Sequence, residues 1–311
     1  MRRLLAGLLA LGLTAGTRAQ IGAPVVKPVP PPIAGIGRVL IIGIDGLRPD
    51  RLLLANTPVI RGLMKQGAYS MWMLTVASGN TLPSFTSMLT GVSPAKHGIT
   101  WNKLLKLQAP EWPARPTLFE MAHQGGYKTA MVAGKSKFRH LDKPGTIDFV
   151  SVPAEDRATD QQVVVEAVRL ITEMKPDVLF VHLPGVDAAG HAKGWGSPEQ
   201  LAAIEEADAC VGRLLAALET AGTRASTLIM LSSDHGGAGL SHGADDPRSR
   251  TIPWIIAGPG VKRGCDLTQV RELVLRIEDT CATACYVLGL PVLPYFDGAP
   301  VLPAFENPPA P

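Results

Sequence analysis

Short apolar runs recur along the chain, separated by stretches with helical spacing. The runs are Val39 to Ile44, Thr129 to Val132, Val178 to Val181, Thr227 to Leu231 and Ile252 to Ala257. Each is nearly continuous rather than alternating, the pattern of parallel strands covered on both faces. Gln161 to Met174 and Pro198 to Leu218 repeat their apolar residues every three or four positions, so each predicts a helix with one buried stripe. Strands alternating with helices predict an α/β fold, a doubly wound and mostly parallel central sheet with helices on both faces. Ligands of such sheets bind beyond the carboxyl ends of the strands, so the residues just after each run are the first candidates for chemistry.

The two ends of the chain break this pattern. Arg2 and Arg3 precede a short apolar stretch, Leu4 to Leu13, and Thr17-Arg18-Ala19 offers small residues for cleavage, so residues 1–19 read as a secretory signal. Residues 20–37, containing GAPVVKPVPPPIAG, read as a Pro-rich linker, and residues 307–311 as a flexible tail. The catalytic unit is then expected over 38–306. No segment is long and apolar enough to predict a transmembrane anchor. The expected location is the periplasm or the exterior of the cell.

Composition narrows the partners. A net charge of +3 on 311 residues, with no long Lys/Arg run, predicts no nucleic-acid groove. Four cysteines, Cys210, Cys265, Cys281 and Cys285, allow three disulfide pairings, and the sequence does not choose among them. Cys281 and Cys285 lie one helical turn apart and suit a packed core; no second Cys pair accompanies them as metal ligands.

Three of the runs end in potential metal ligands. The first leads into Asp45, the third into Asp187 and His191, and the fourth into Asp234, His235 and then His242. Taken singly, each has an ordinary structural role. Asp45 can cap a helix, Asp187 and His191 can share a solvated helical face, and Asp234-His235 can form an Asx turn. Six Asp and His residues at the ends of three strands are better explained by one site, and that donor set suits zinc or manganese. Between the first two runs lies Gly79-Asn80-Thr81-Leu82-Pro83-Ser84-Phe85. Thr81 is predicted as the N-cap of a helix running through Thr86 and Met88. A hydroxyl there sits beside free backbone N–H groups that favour an incoming phosphate.

With these segments in hand, the chain resembles the alkaline phosphatase superfamily, and within it the nucleotide pyrophosphatase/phosphodiesterase branch. The resemblance runs from IIGIDGLRPD through NTLPSFTSMLTGVSPAKHGI, VDAAGH, SSDHGG and SHG. It continues into IEDTCATACYVLGLP and FDGAPVLPAF, which resemble the closing helix and strand of that fold. The resemblance implies two divalent metals, both zinc. One would be held by Asp45, Thr81, Asp234 and His235, the other by Asp187, His191 and His242. Thr81 would be the nucleophile. Family diesterases usually carry Asn where this chain has Ser84; Ser84, Asn80 and Asn102 are the candidates to hold a phosphate oxygen there. The spacing from His235 to His242 is short, more like that of phosphoethanolamine transferases and compact phosphatase-like members. The sulfatase motif is not matched, since Thr81 and Phe85 stand where a modifiable Cys or Ser and an Arg are needed.

The expected activity is hydrolysis of a small-molecule phosphate ester through a phosphothreonine, with backbone N–H groups from Leu82 onward stabilising charge. Arg48 and Arg139 are the basic residues considered for the second charge of a monoester, and each reads better as a surface side chain. With no other cation found, diesters are expected over monoesters. His97, His123, His140 and His182 are given structural roles, with His97 the one nearest a motif that could shape the pocket. The alternatives are a monoesterase, a phosphotransferase of the same fold, and a non-catalytic metal-binding module.

Overall fold

The computed structural model describes residues 28–105, 111–155, 157–243 and 246–310. The expected signal and the first part of the linker lie outside the described residues. The rest of the linker is bound to the domain: Val29 N–H donates to Gly289 O (2.8 Å), and Ile33 and Ile36 are buried. The expected tail is also held at Pro309, whose carbonyl accepts from the Tyr286 hydroxyl (2.6 Å).

Eight strands form one sheet: β1 (Arg38–Ile44), β2 (Ala68–Leu74), β3 (Thr129–Ala133), β4 (Phe149–Ser151), β5 (Val178–Leu183), β6 (Thr227–Ser232), β7 (Thr251–Ala257) and β8 (Cys265–Asp266). Their spatial order is β4-β3-β5-β1-β6-β7-β2-β8. The predicted runs fall on β1, β3, β5, β6 and β7. Only β7 runs against its neighbours, pairing antiparallel with both β6 and β2. Its apolar run resembles those of the parallel strands because it too is covered on both faces. Among the described residues the β6–β7 connection carries only the short helix Pro247–Arg250, so the chain turns back instead of crossing over. Strand β2 was not predicted; its sequence AYSMWML is half-buried and carries the exposed Trp72.

Alternate side chains of each strand feed two cores. Val39 and Ile41 join a cluster with Phe85, Met88, Phe119 and Cys285, under the helices Thr81–Thr90, Leu118–Gln124 and Asp279–Val287. Leu40, Ile42 and Ile44 join the opposite cluster with Leu63, Val163, Ile204 and Leu214, under Pro58–Gln66, Asp160–Glu173 and Pro198–Thr220. Period-two alternation thus turns one apolar run into two buried faces.

The closing helix is present, but FDGAPVLPAF does not form a strand. It makes a 3-10 turn, Leu302–Ala304, and a single bridge between Phe305 and Val261, because its prolines cannot donate to a ladder. All four cysteines are free. No helix among the described residues is long and apolar enough to cross a membrane.

Candidate active site

The carboxyl ends of β1, β5 and β6, three adjacent strands, deliver Asp45, Asp187 and Asp234 to one spot. Asp45 is the first residue past β1 and has no exposed surface. Gly46 follows it with φ +72°, and a Cβ there would lie 2.9 Å from the Asp187 backbone, so only glycine lets the two segments meet. Asp187 sits in the first turn of the helix Gly185–Lys193, with His191 one turn later. Asp234 and His235 follow β6 and are fully buried. Asp234 Oδ1 is held by Gly46 N–H (3.0 Å), and Ser233 Oγ by Leu47 N–H (2.9 Å).

The three predicted metal-binding histidines share one hydrogen-bond arrangement. The Nδ1 atoms of His191, His235 and His242 lie 2.9, 2.8 and 2.7 Å from the carbonyls of Leu240, Gly236 and Gly79. A carbonyl only accepts, so each Nδ1 carries the proton and each Nε2 presents a lone pair. Those lone pairs converge on the carboxylates. His235 Nε2 is 3.1 Å from Asp234 Oδ2 and 3.4 Å from Asp45 Oδ1, and His191 Nε2 is 3.3 Å from Asp187 Oδ1. His242 Nε2 lies 3.8 Å from Asp187 Oδ1, and its ring stacks on that of His235 at 3.7 Å.

Four of the converging atoms, Asp45 Oδ1, Asp187 Oδ1, Asp234 Oδ2 and His235 Nε2, are buried without a hydrogen bond. Buried polar atoms are almost always bonded, because leaving one bare costs about 1–3 kcal/mol. Four at one point fit a cation site, and the oxygen and imidazole donors fit zinc or manganese. Two overlapping groups have ligand atoms near enough to share an ion: Asp45, Asp234 and His235, and Asp187, His235 and His242. The first is the expected set apart from Thr81. In the second His235 takes the place expected of His191, whose side chain is more exposed, with Nε2 3.3 Å from Asp187 Oδ1.

The electrostatics match this arrangement. Burial and the Asp45 charge push Asp234 well above the usual carboxylate range. Burial alone would raise Asp45 too, but Lys135 and His182 outweigh it and hold it well below that range. Burial keeps His235 and His242 neutral, His242 lowered to about 4, which is the form that binds a metal.

Thr81 is buried, and it is the first residue of its helix; Asn80, not Thr81, is the N-cap. The Leu82 N–H expected to face a phosphate donates instead to Asn102 Oδ1 (3.0 Å). Asn102 is thereby fixed beside Thr81. Ser84 is fully buried, with its hydroxyl on Thr75 Oγ1 (3.2 Å), so it braces the loop before the helix. Asn80 is half-buried beside Thr81 and makes no side-chain capping bond.

Three residues of the centre were missed from sequence. His182, given a structural role, accepts from Gly134 N–H at Nδ1 (3.2 Å) and therefore donates from Nε2 to Asp45 Oδ2 (2.8 Å). Its tautomer is opposite to that of the other three, and it orients the Asp45 carboxylate. Lys135, just past β3, places Nζ 2.6 Å from Asp45 Oδ2, 2.7 Å from Asp187 Oδ2 and 3.5 Å from Thr81 Oγ1. Lys137 Nζ donates to Asn102 Oδ1 (2.9 Å). The rule applied to the other strand ends would have found both lysines, since GKSK directly follows the second apolar run.

Neither arginine considered from sequence enters the centre. Arg48 is buried rather than on the surface, bonded to Asp50 (2.7 and 2.9 Å) and to Gly237 O (2.9 Å), where it braces the loop after His235. Arg139 is exposed and donates to Val152 O (3.3 Å). The structural readings of the other histidines agree with their contacts. His97 bonds to Ser87 and Ile99, His140 contacts Trp101 and the Glu111 carbonyl, and His123 pairs with Asp148.

A profile of the type I phosphodiesterase / nucleotide pyrophosphatase family matches residues 39–249, a span that contains every residue of this centre. The chain belongs to that family. It is 27% identical over 220 residues to a fission-yeast (Schizosaccharomyces pombe) protein described as an uncharacterized pyrophosphatase/phosphodiesterase, covering 65% of this chain and 45% of that one. It is 28% identical over 216 residues to human ectonucleotide pyrophosphatase/phosphodiesterase family member 1, covering 63% of this chain and 23% of that one. The chain thus spans less than half the length of either relative. Among solved structures, murine ectonucleotide pyrophosphatase/phosphodiesterase 5, an inactive threonine-to-alanine form in complex with AMP, shares the fold with a TM-score of 0.74. That match has 15% identity and covers 86% of this chain and all of that one. A 2-O glycosaminoglycan sulfatase shares the fold at a TM-score of 0.69 and 16% identity, covering 87% of this chain and 74% of that one. The sheet and its flanking helices are the alkaline phosphatase-like fold.

Proposed function

We propose that this chain is an exported two-metal phosphoric ester hydrolase that acts through a phosphothreonine on Thr81. The observation that carries this reading is the convergence of four buried, unbonded donor atoms beside a buried threonine at a helix start. Asp45, Asp234 and His235, with Thr81, are assigned to one divalent ion, and Asp187, His191 and His242 to the other, both zinc. Bound there, the ions supply Lewis acidity to the nucleophile and to the leaving oxygen.

The chain's own residues do the rest. His182 holds Asp45 in a fixed rotamer, and the Gly46 N–H holds Asp234. The carbonyls of Leu240, Gly236 and Gly79 hold a proton on Nδ1 of each imidazole and so aim each Nε2 inward. Thr81 Oγ1 attacks phosphorus in line, the bond to the leaving oxygen breaks, and the hydroxyl proton departs with the leaving alcohol. Water then attacks the phosphothreonine, releases the phosphoryl group and restores Thr81. The side-chain amides of Asn102 and Asn80 are assigned to a non-reacting phosphoryl oxygen, a role supported by the bond that fixes Asn102 to the Leu82 N–H beside Thr81. The inactive threonine-to-alanine form and the AMP complex of the murine relative support both the role of Thr81 and nucleotides as esters to test.

The test is p-nitrophenol release from bis(p-nitrophenyl) phosphate and from p-nitrophenyl phosphate by the zinc-loaded protein. Activity on either that is lost in Thr81→Ala, with zinc content unchanged, supports the reading. Activity that survives the substitution would sink it. Export is tested separately, by whether the mature protein from an exporting host lacks residues 1–19.

A further inference from the structure

We propose that Lys135 and Lys137 form a cationic subsite for the second negative charge of the reacting group, so that the preferred substrate carries a terminal, dianionic phosphoryl group. This rests on the hydrolase reading above and names its substrate class.

Both lysines come from one short segment after β3, on the side of the centre where the helix of Thr81 begins. Lys135 is buried and ends 3.5 Å from Thr81 Oγ1. Lys137 is half-buried and, among the described residues, bonds to Asn102 Oδ1, the same oxygen that receives the Leu82 N–H. Asn102 therefore ties the second ammonium to the amide next to the nucleophile. Among the described residues no carboxylate pairs with Lys137. Burial and the neighbouring Lys135 push its ammonium below the usual lysine range. A cation held partly out of water, beside another cation and with no carboxylate in contact among the described residues, gains when an anion arrives.

Charge counting gives the class of anion. Asp45, Asp187 and Asp234 supply three negative charges at the centre, and two divalent ions supply four positive ones. That balance suits a single additional negative charge, which a phosphodiester brings. The two ammonium groups on the Thr81 side would raise the net charge to three positive, which a dianionic phosphoryl group offsets further than the single charge of a diester. A diester whose second arm lay on this side would put an alkyl group against Lys137 and Asn102 and give their polar atoms no partner. An ionised oxygen satisfies both lysines. In the reaction, Thr81 Oγ1 bonds to phosphorus and the leaving alcohol takes the proton. Water then releases inorganic phosphate.

The experiment compares kcat/KM for p-nitrophenyl phosphate and methyl p-nitrophenyl phosphate, which share a leaving group and differ by one charge. The zinc-loaded wild type is expected to prefer the monoester. Lys137→Met is expected to lower the monoester-to-diester ratio about tenfold or more, with Lys137→Arg restoring most of it. The ratio is taken within one preparation, so partial misfolding cancels. Competitive inhibition of diester cleavage by inorganic phosphate is a second measure, its Ki rising about tenfold in Lys137→Met. Equal loss on both esters with an unchanged phosphate Ki would falsify the proposal, as would a wild type that prefers the diester. Failure of the parent reading looks different: the zinc-loaded wild type cleaves neither ester, or Thr81→Ala stays active.

Discussion

Two kinds of buried aspartate coexist in this molecule. Asp279 is buried at the start of the closing helix, and its two oxygens accept from Arg276 N–H (2.7 Å) and Ala299 N–H (2.8 Å). Asp208, part-way along the helix Pro198–Thr220, likewise receives Ile60 N–H (2.7 Å) and Val59 N–H (3.1 Å). Each of these carboxylates is saturated by backbone and pins a chain segment. Asp45, Asp187 and Asp234 each keep one oxygen bare. The difference separates a carboxylate that holds the fold from one that waits for a ligand. Burial alone does not tell them apart; the count of satisfied oxygens does.

The sharpest way to break this comparison is to remove the hydroxyl of Thr81, the proposed nucleophile. Thr81→Ala is expected to lower kcat by about 10⁴-fold or more while changing the melting temperature little, since it deletes one hydroxyl and one methyl at a helix start. Asp279→Ala should do the reverse. It strands two backbone N–H groups in the core and is expected to cost about 2–4 kcal/mol of stability, read from denaturant midpoints at constant slope. Activity per folded molecule should stay within a factor of about two, because nothing in the centre touches Asp279. A fall in zinc content in this variant would show that the two regions are coupled.

Zinc itself gives the next contrast. At a free concentration 100 times its Kd, an ion that binds only the folded state adds about 2.7 kcal/mol. That gain is expected in the wild type and in Asp279→Asn, and to be largely absent in Asp234→Asn and Asp45→Asn. The metal-free forms should order the other way. Asp234→Asn removes one of three mutually repelling buried carboxylates, so without zinc it is expected to melt at or above the wild type. A clear loss of metal-free stability would mean that the bare oxygens have partners of another kind.

The sheet was legible in sequence because its strands are covered on both faces and so are written as unbroken apolar runs. β2 escaped because it lies half-exposed near the sheet edge, where polar and apolar residues mix. The direction of β7 escaped because an apolar run carries no information about polarity; that depends on the connection before it. The convergence of Asp45, Asp187, Asp234, His235 and His242 was legible as Asp and His at strand ends. His182 was not, since a histidine inside a strand gives no sign that its ring will turn towards a carboxylate on the neighbouring strand. Lys135 and Lys137 were passed over for another reason. Lysines just after a strand look like solvated surface, and only the packing of the β3 end against β5 and the Thr81 helix draws them inward.

The smallest effect separates two histidines that titrate alike. Burial lowers both His97 and His242 to about 4. Both nitrogens of His97 are engaged within the protein, Nε2 with Ser87 Oγ (3.0 Å) and Nδ1 with Ile99 N–H (3.0 Å). The Nε2 of His242 instead faces the bare Asp187 Oδ1, 3.8 Å away. For His97 the folded-state value lies below the unfolded one of 6.5, so the fold excludes a proton that the unfolded chain accepts. Its contribution is therefore complete above pH 6.5 and is lost as the pH falls towards about 4, amounting to at most about 3 kcal/mol. His97→Gln should flatten the stability profile over that window by about this amount or less, with or without zinc. An acid loss at His97 that zinc suppresses would mean that this histidine too communicates with the metal centre, and the distinction between saturated and waiting groups would not hold on this side of the molecule.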